Sequence, residues 1–148
     1  LDPSTRPSRL PLLAQIITGV VLLLSLVSGL LIWWGQTIQL RELQSPVWLR
    51  WCLVFHGCLN PFLCGLFGYL CCAHIRLGWE LRANLPSGLI IEAFFLGLIL
   101  SGAGRYYAGA EEWRERLTWA HRWLGILMPA GLGAHWLAGL RWAKKVSK

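Results

Sequence analysis

From Leu10 to Trp34 the chain reads LPLLAQIITGVVLLLSLVSGLLIWW without a charged residue, and this run restricts the fold more than any other feature. A helix of about 20 such residues crosses the ~30 Å hydrocarbon core of a bilayer. Backbone amides in lipid find no water to bond, so a spanning segment of this kind must satisfy itself as a helix. The run exceeds the apolar core of a secretion signal, and its tail, from Ser28-Gly29 to Trp33-Trp34, has no small-residue cleavage pattern. It is therefore expected to stay in the protein. The polar leader, LDPSTRPSR, reads as a short disordered arm.

Three further apolar stretches follow. Together the four give expected spans at about 10–35, 47–77, 86–109 and 115–142, separated by GQTIQLRELQSP, RLGWELRANLP and AGAEEWRER. Pro46 and Pro86 stand where spans begin, a position that tolerates the missing amide proton. The expected fold is all-α, an integral-membrane four-helix bundle forming a single domain over residues 1–148. Composition agrees: 14% of residues are charged and 55% hydrophobic, against roughly 25% charged in soluble domains. The net charge of +7 sits at the edges of apolar runs rather than in a patch interleaved with exposed aromatics, which argues against nucleic acid as a partner and for membrane lipid.

Four spans put both termini on one side with the second separator. That side collects Arg6, Arg9, Arg76, Arg82, Arg141, Lys144, Lys145 and Lys148. The other carries Arg41, Arg50, Arg105, Arg114, Arg116 and Arg122, interspersed with Glu42, Glu111, Glu112 and Glu115. Excess bases mark the cytoplasmic side, so both termini are expected in the cytoplasm, in a bacterial inner membrane. Trp33, Trp34, Trp48, Trp51, Trp113, Trp119 and Trp123 then form an outer aromatic belt, and Trp79, Trp136 and Trp142 an inner one.

All five cysteines, Cys52, Cys58, Cys64, Cys71 and Cys72, fall in the second span with no CxxC or CxxCH among them. Zinc, iron–sulfur and covalent c-type haem sites are not indicated. Free cysteine packs as a small hydrophobe, which is the expected role.

The four histidines are distributed evenly: His56 and His74 in the second span, His121 and His135 in the fourth. At 100° per residue the eighteen-residue step between the first two returns to the same helix face, and the fourteen-residue step between the second two misses by only ~40°. The second and fourth spans run parallel, so His56 and His121 lie toward the outer side and His74 and His135 toward the inner. Ionisable groups inside spans default to function. Two pairs of imidazoles, one near each face, match what two six-coordinate haems require in a helical slot.

With the motifs VFHGC, CCAHIR, WAHRWLG and GAHWLAG, nearly the whole chain resembles the four-helix, bis-histidine, dihaem cytochrome b anchors of membrane oxidoreductases. The resemblance implies that His56, His74, His121 and His135 are axial metal ligands, His56 paired with His121 and His74 with His135, on two noncovalent haems b. One spacing departs from that pattern. Eighteen residues rise ~27 Å where fourteen rise ~21 Å, and a kink at Asn60-Pro61 is the expected relief.

Several neighbours suit this reading. Arg76, Arg105, Arg122 and Arg141 stand near span ends or beside the histidines, where a guanidinium fork can take a haem propionate. Glu92, about 9 Å into the third span, is placed to exchange protons with a quinone. Gly125 and Gly139 follow His121 and His135 by four residues, which allows close approach of a flat ring or of another helix. Met128 lies between the two histidine depths and reads as packing, while Asn60, Ser101 and Thr118 offer generic polar contacts. No flavin or nicotinamide fingerprint and no iron–sulfur motif is present. The expected function is therefore electron transfer between the quinone pool and a separate redox-active partner subunit. The alternatives are a stand-alone quinol-linked reductase or oxidase of a small substrate, and a non-redox membrane scaffold subunit.

Overall fold

A computed structural model describes residues 10–82 and 84–146, with the backbone alone at 143, 145 and 146. The chain is all-α, and no strand occurs among the described residues. Its elements are α1 (Leu12–Glu42), α2 (Val47–Leu70), a π-helical turn (Cys71–Ile75), α3 (Arg76–Glu80), α4 (Leu85–Tyr107) and α5 (Glu111–Val146). Four passes, Leu12–Glu42, Val47–Glu80, Leu85–Tyr107 and Glu111–Trp142, are long and apolar enough to cross a membrane. Of the bases expected at the termini, Arg6, Arg9 and Lys148 lie outside the described residues, as does the side chain of Lys145.

Two ends differ from expectation. α1 continues to Glu42 instead of stopping near residue 35, because Gln36 to Glu42 are mostly good helix formers that need no lipid to remain helical. It stops where Leu43 turns left-handed, at φ 55°. α5 begins at Glu111 instead of near 115. Glu111 and Glu112 occupy its first turn, where carboxylates favour the positive end of the helix dipole. Each also pairs one turn on, Glu111 with Arg114 at 3.4 Å and Glu112 with Arg116 at 2.6 Å.

The chain divides into two compact units: Pro11–Leu66, and Phe67–Lys148 with the N-terminal arm. In the first, α1 and α2 approach closely beside their connecting turn. Gly35 is buried there, and a Cβ on it would stand 2.8 Å from Cη2 of Trp48 and 2.9 Å from Cδ1 of Leu49. In the second, α4 and α5 run antiparallel and interlock along their length. Leu124 and Leu117 of α5 reach Gly97 and Gly104 of α4, and Ile91 of α4 reaches Gly131 of α5, each to 3.0 Å of a Cβ built on the glycine. Small residues at such contacts are the expected device in lipid, where burying apolar surface gives helices no reason to associate. Phe67 stacks on the buried Phe95 at 5.6 Å between ring centres, and Met128 is buried as expected of packing. Cys52 and Cys71 are half-buried, whereas Cys58, Cys64 and Cys72 are exposed and pack against nothing in the fold.

The kink expected at Pro61 takes a different form. Pro61 lies inside α2 without ending it, and the break in α-helical bonding comes ten residues later. There the Arg76 amide bonds the Cys71 carbonyl, five residues back. Such wide turns are uncommon and are frequently found at functional sites. This one contains His74, so a count at a constant 100° per residue does not extend through it.

Candidate functional site

All four histidines are half-buried. Three are held by the same device, a serine followed by glycine on a neighbouring helix. In the first unit, Ser28 Oγ lies 2.8 Å from His56 Nδ1, and a Cβ on Gly29 would stand 3.4 Å from His56 Cε1. In the second, Ser101 Oγ lies 3.1 Å from His121 Nδ1, with Gly102 at 3.2 Å from Cε1 by the same measure. Ser87 Oγ lies 3.0 Å from His135 Nδ1, with Gly88 at 3.9 Å. A side chain at the glycine would crowd the ring away from the serine, most severely at Gly102.

The register is written in the chain. Ser87 and Ser101 are fourteen residues apart, as are His121 and His135. On antiparallel helices the lower serine meets the higher histidine, and both contacts form at once. Asn84 adds a third tie: its left-handed backbone, φ 53°, starts α4, and its side-chain amide donates to the His135 carbonyl at 3.2 Å. Gly139 packs against that amide and Gly125 against Leu98, so both expected haem-facing glycines serve the α4–α5 contact.

Within the second unit the structure brings His74 and His135 together, with ring centres 6.2 Å apart and planes at 90°. An imidazole nitrogen sits ~2 Å from a first-row metal, so two rings on opposite sides of one ion have centres roughly 6 Å apart. Among the described residues no group of three or more His, Cys, Asp or Glu side chains converges as a bare ion would need. Paired imidazoles suit an ion whose other four positions are filled by a macrocycle. His56 and His121 belong to different units, each held in its own by its Ser-Gly contact.

The other expected residues separate into groups. Nε of Arg105 is buried with no hydrogen-bond partner among the described residues, and Arg122 is near enough for the two guanidinium groups to repel. Arg122 also lies over Trp119, 5.1 Å from the ring centre. An orphaned guanidinium nitrogen beside a second cation in an apolar span fits a carboxylate-bearing ligand. Arg76 is instead engaged with Glu80 at 2.9 Å, and both side chains are exposed. Arg141 is exposed on α5. Oε2 of Glu92 is buried and has no hydrogen-bond partner among the described residues, and the carboxyl is near enough to Cys71, in the π turn, to interact with it electrostatically. Sequence reasoning missed Ser28 and Ser87 and treated Ser101 as generic. The signal was three Ser-Gly steps, two of them repeating the histidine spacing. The chain matches no protein-family model, no curated protein and no solved structure.

Proposed function

We propose that this chain is an integral-membrane dihaem cytochrome b that carries electrons between the quinone pool and a redox-active partner subunit, with both termini in the cytoplasm of a bacterial inner membrane. The observation that carries the reading is the 6.2 Å approach of His74 to His135, inside an apolar fold where paired imidazoles need a purpose. The identical Ser-Gly contacts at His56 and His121 support a second ligand pair. Haem b supplies one-electron chemistry between ferric and ferrous iron.

The protein's own residues then have distinct tasks. His74 and His135 hold the inner iron from two sides, and His56 and His121 the outer. Arg105 and Arg122 neutralise propionate charge that lipid would otherwise reject. Glu92 holds a proton at its buried carboxyl, where a quinol oxygen can exchange it.

Purified protein should show a reduced α-band of b type and two haems per chain. His135→Ala and His74→Ala should each lower the ratio to one. A chain with no such band after expression with ample haem refutes the proposal, and a ratio of two in either variant refutes the pairing. A C-terminal reporter active only outside the cytoplasm would reverse the assigned orientation.

A further inference from the structure

The serine contacts do more than hold the rings. A serine hydroxyl has one proton, and a carbonyl can only accept. The Ser28 hydroxyl donates to the Leu24 carbonyl at 2.7 Å, with the Ser25 carbonyl at 3.1 Å. Its proton is committed to its own helix, so toward His56 Nδ1 the oxygen offers a lone pair. That 2.8 Å contact is a hydrogen bond only when Nδ1 carries the proton. Ser101 repeats the arrangement, donating to the Gly97 carbonyl at 2.6 Å. The Leu98 carbonyl, 3.2 Å from His121 Nδ1, demands the same tautomer independently. Ser87 follows more loosely, its hydroxyl 3.3 Å from the Asn84 carbonyl.

We propose that Ser28, Ser87 and Ser101 are positioning residues that hold His56, His135 and His121 as Nδ1–H tautomers, so that each ring presents Nε2 as its metal-binding nitrogen. A neutral imidazole with its proton on Nδ1 has its lone pair on Nε2. An acceptor on Nδ1–H also fixes the ring's orientation and raises the basicity of Nε2, which favours the ferric state of a bound iron. The tautomer is a property of the protein alone, whereas the effect on potential rests on the haem reading.

The tautomers are read directly by nitrogen-15 NMR of the full chain, labelled at histidine, in detergent and before haem is added. His56, His121 and His135 should each show a protonated Nδ1 and a bare Nε2, most completely at His121, which has two acceptors. Ser28→Ala and Ser87→Ala should each shift their own histidine toward a mixture of tautomers, and Ser28→Thr and Ser87→Thr should restore it. Ser101→Ala should change His121 least, because the Leu98 carbonyl remains. A bare Nδ1 at these histidines in the unsubstituted chain overturns the proposal without any variant having to fold, as do unchanged signals in the two alanine variants. In haem-loaded protein, Ser87→Ala should raise the midpoint potential of one haem alone and Ser87→Thr should return it. An unmoved potential overturns the tuning role. A chain that binds no haem refutes the proposed function instead, and leaves the tautomer result standing.

Discussion

The α1–α2 and α4–α5 pairs grip a histidine in the same way and yet bring their helices together differently. α4 and α5 exchange knobs along their whole length, and each knob is the movable end of a leucine or isoleucine set against a glycine. α1 and α2 meet closely at Gly35, against the flat indole of Trp48, and again where Ser28 reaches His56. One pair is located by many soft contacts, the other by one rigid stop and one hydrogen bond. In lipid, where close packing and polar contacts supply the association energy, this difference decides which substitutions each pair survives.

Gly35→Ala should have the largest effect. Its Cβ would overlap Trp48 at 2.8 Å, and overpacking of a rigid neighbour costs about 1–3 kcal/mol. Gly97→Ala and Gly131→Ala, facing leucine and isoleucine ends at 3.0 Å, should cost less than about 1 kcal/mol. Unfolding of the full chain in mixed micelles measures both, and the reverse ranking would break the comparison. Next come the glycines under the rings. Gly102→Ala should weaken haem retention by about 1 kcal/mol, roughly fivefold, Gly29→Ala by less and Gly88→Ala scarcely at all, following contact distances of 3.2, 3.4 and 3.9 Å. Competition with an apo-haem acceptor gives these values, and an equal loss at all three would show that the glycines do not set ring position. Smallest is Arg76→Ala: its pair with Glu80 is 77% and 56% exposed, so stability should fall by no more than about 0.5 kcal/mol.

The parts of the molecule governed by solvent were legible in the sequence. Four apolar runs gave the passes, because hydrocarbon leaves the backbone no alternative to a helix, and the fourteen-residue histidine spacing gave the depths of His121 and His135. The ends of α1 and α5 were less legible, since hydropathy detects lipid contact and helix propensity continues past it. The π turn left no mark in composition: Cys71-Cys72-Ala73 would sit equally well in an ordinary helix. Ser101 was seen as a polar residue but not as a ligand of His121, because a single hydroxyl in a span commonly bonds its own helix, as Thr18 does to the Ala14 carbonyl. Only the recurrence of Ser-Gly at matching intervals separates the two cases.

The wide turn at Cys71–Ile75 has a consequence for how this pass can change length. A π turn stores a surplus residue without adding a full step of rise, so it acts as slack in an otherwise taut helix. Removing a residue there would let ordinary helical bonding close and swing everything beyond it by about 100°, carrying His74 away from His135. The same removal elsewhere in the pass would shift the helix against lipid, which is indifferent to which apolar face it meets. A single-residue deletion thus has very different weight at Cys72 and in the long apolar stretches, and the position of the slack marks where the chain's length is fixed by a partner ring rather than by the thickness of the bilayer.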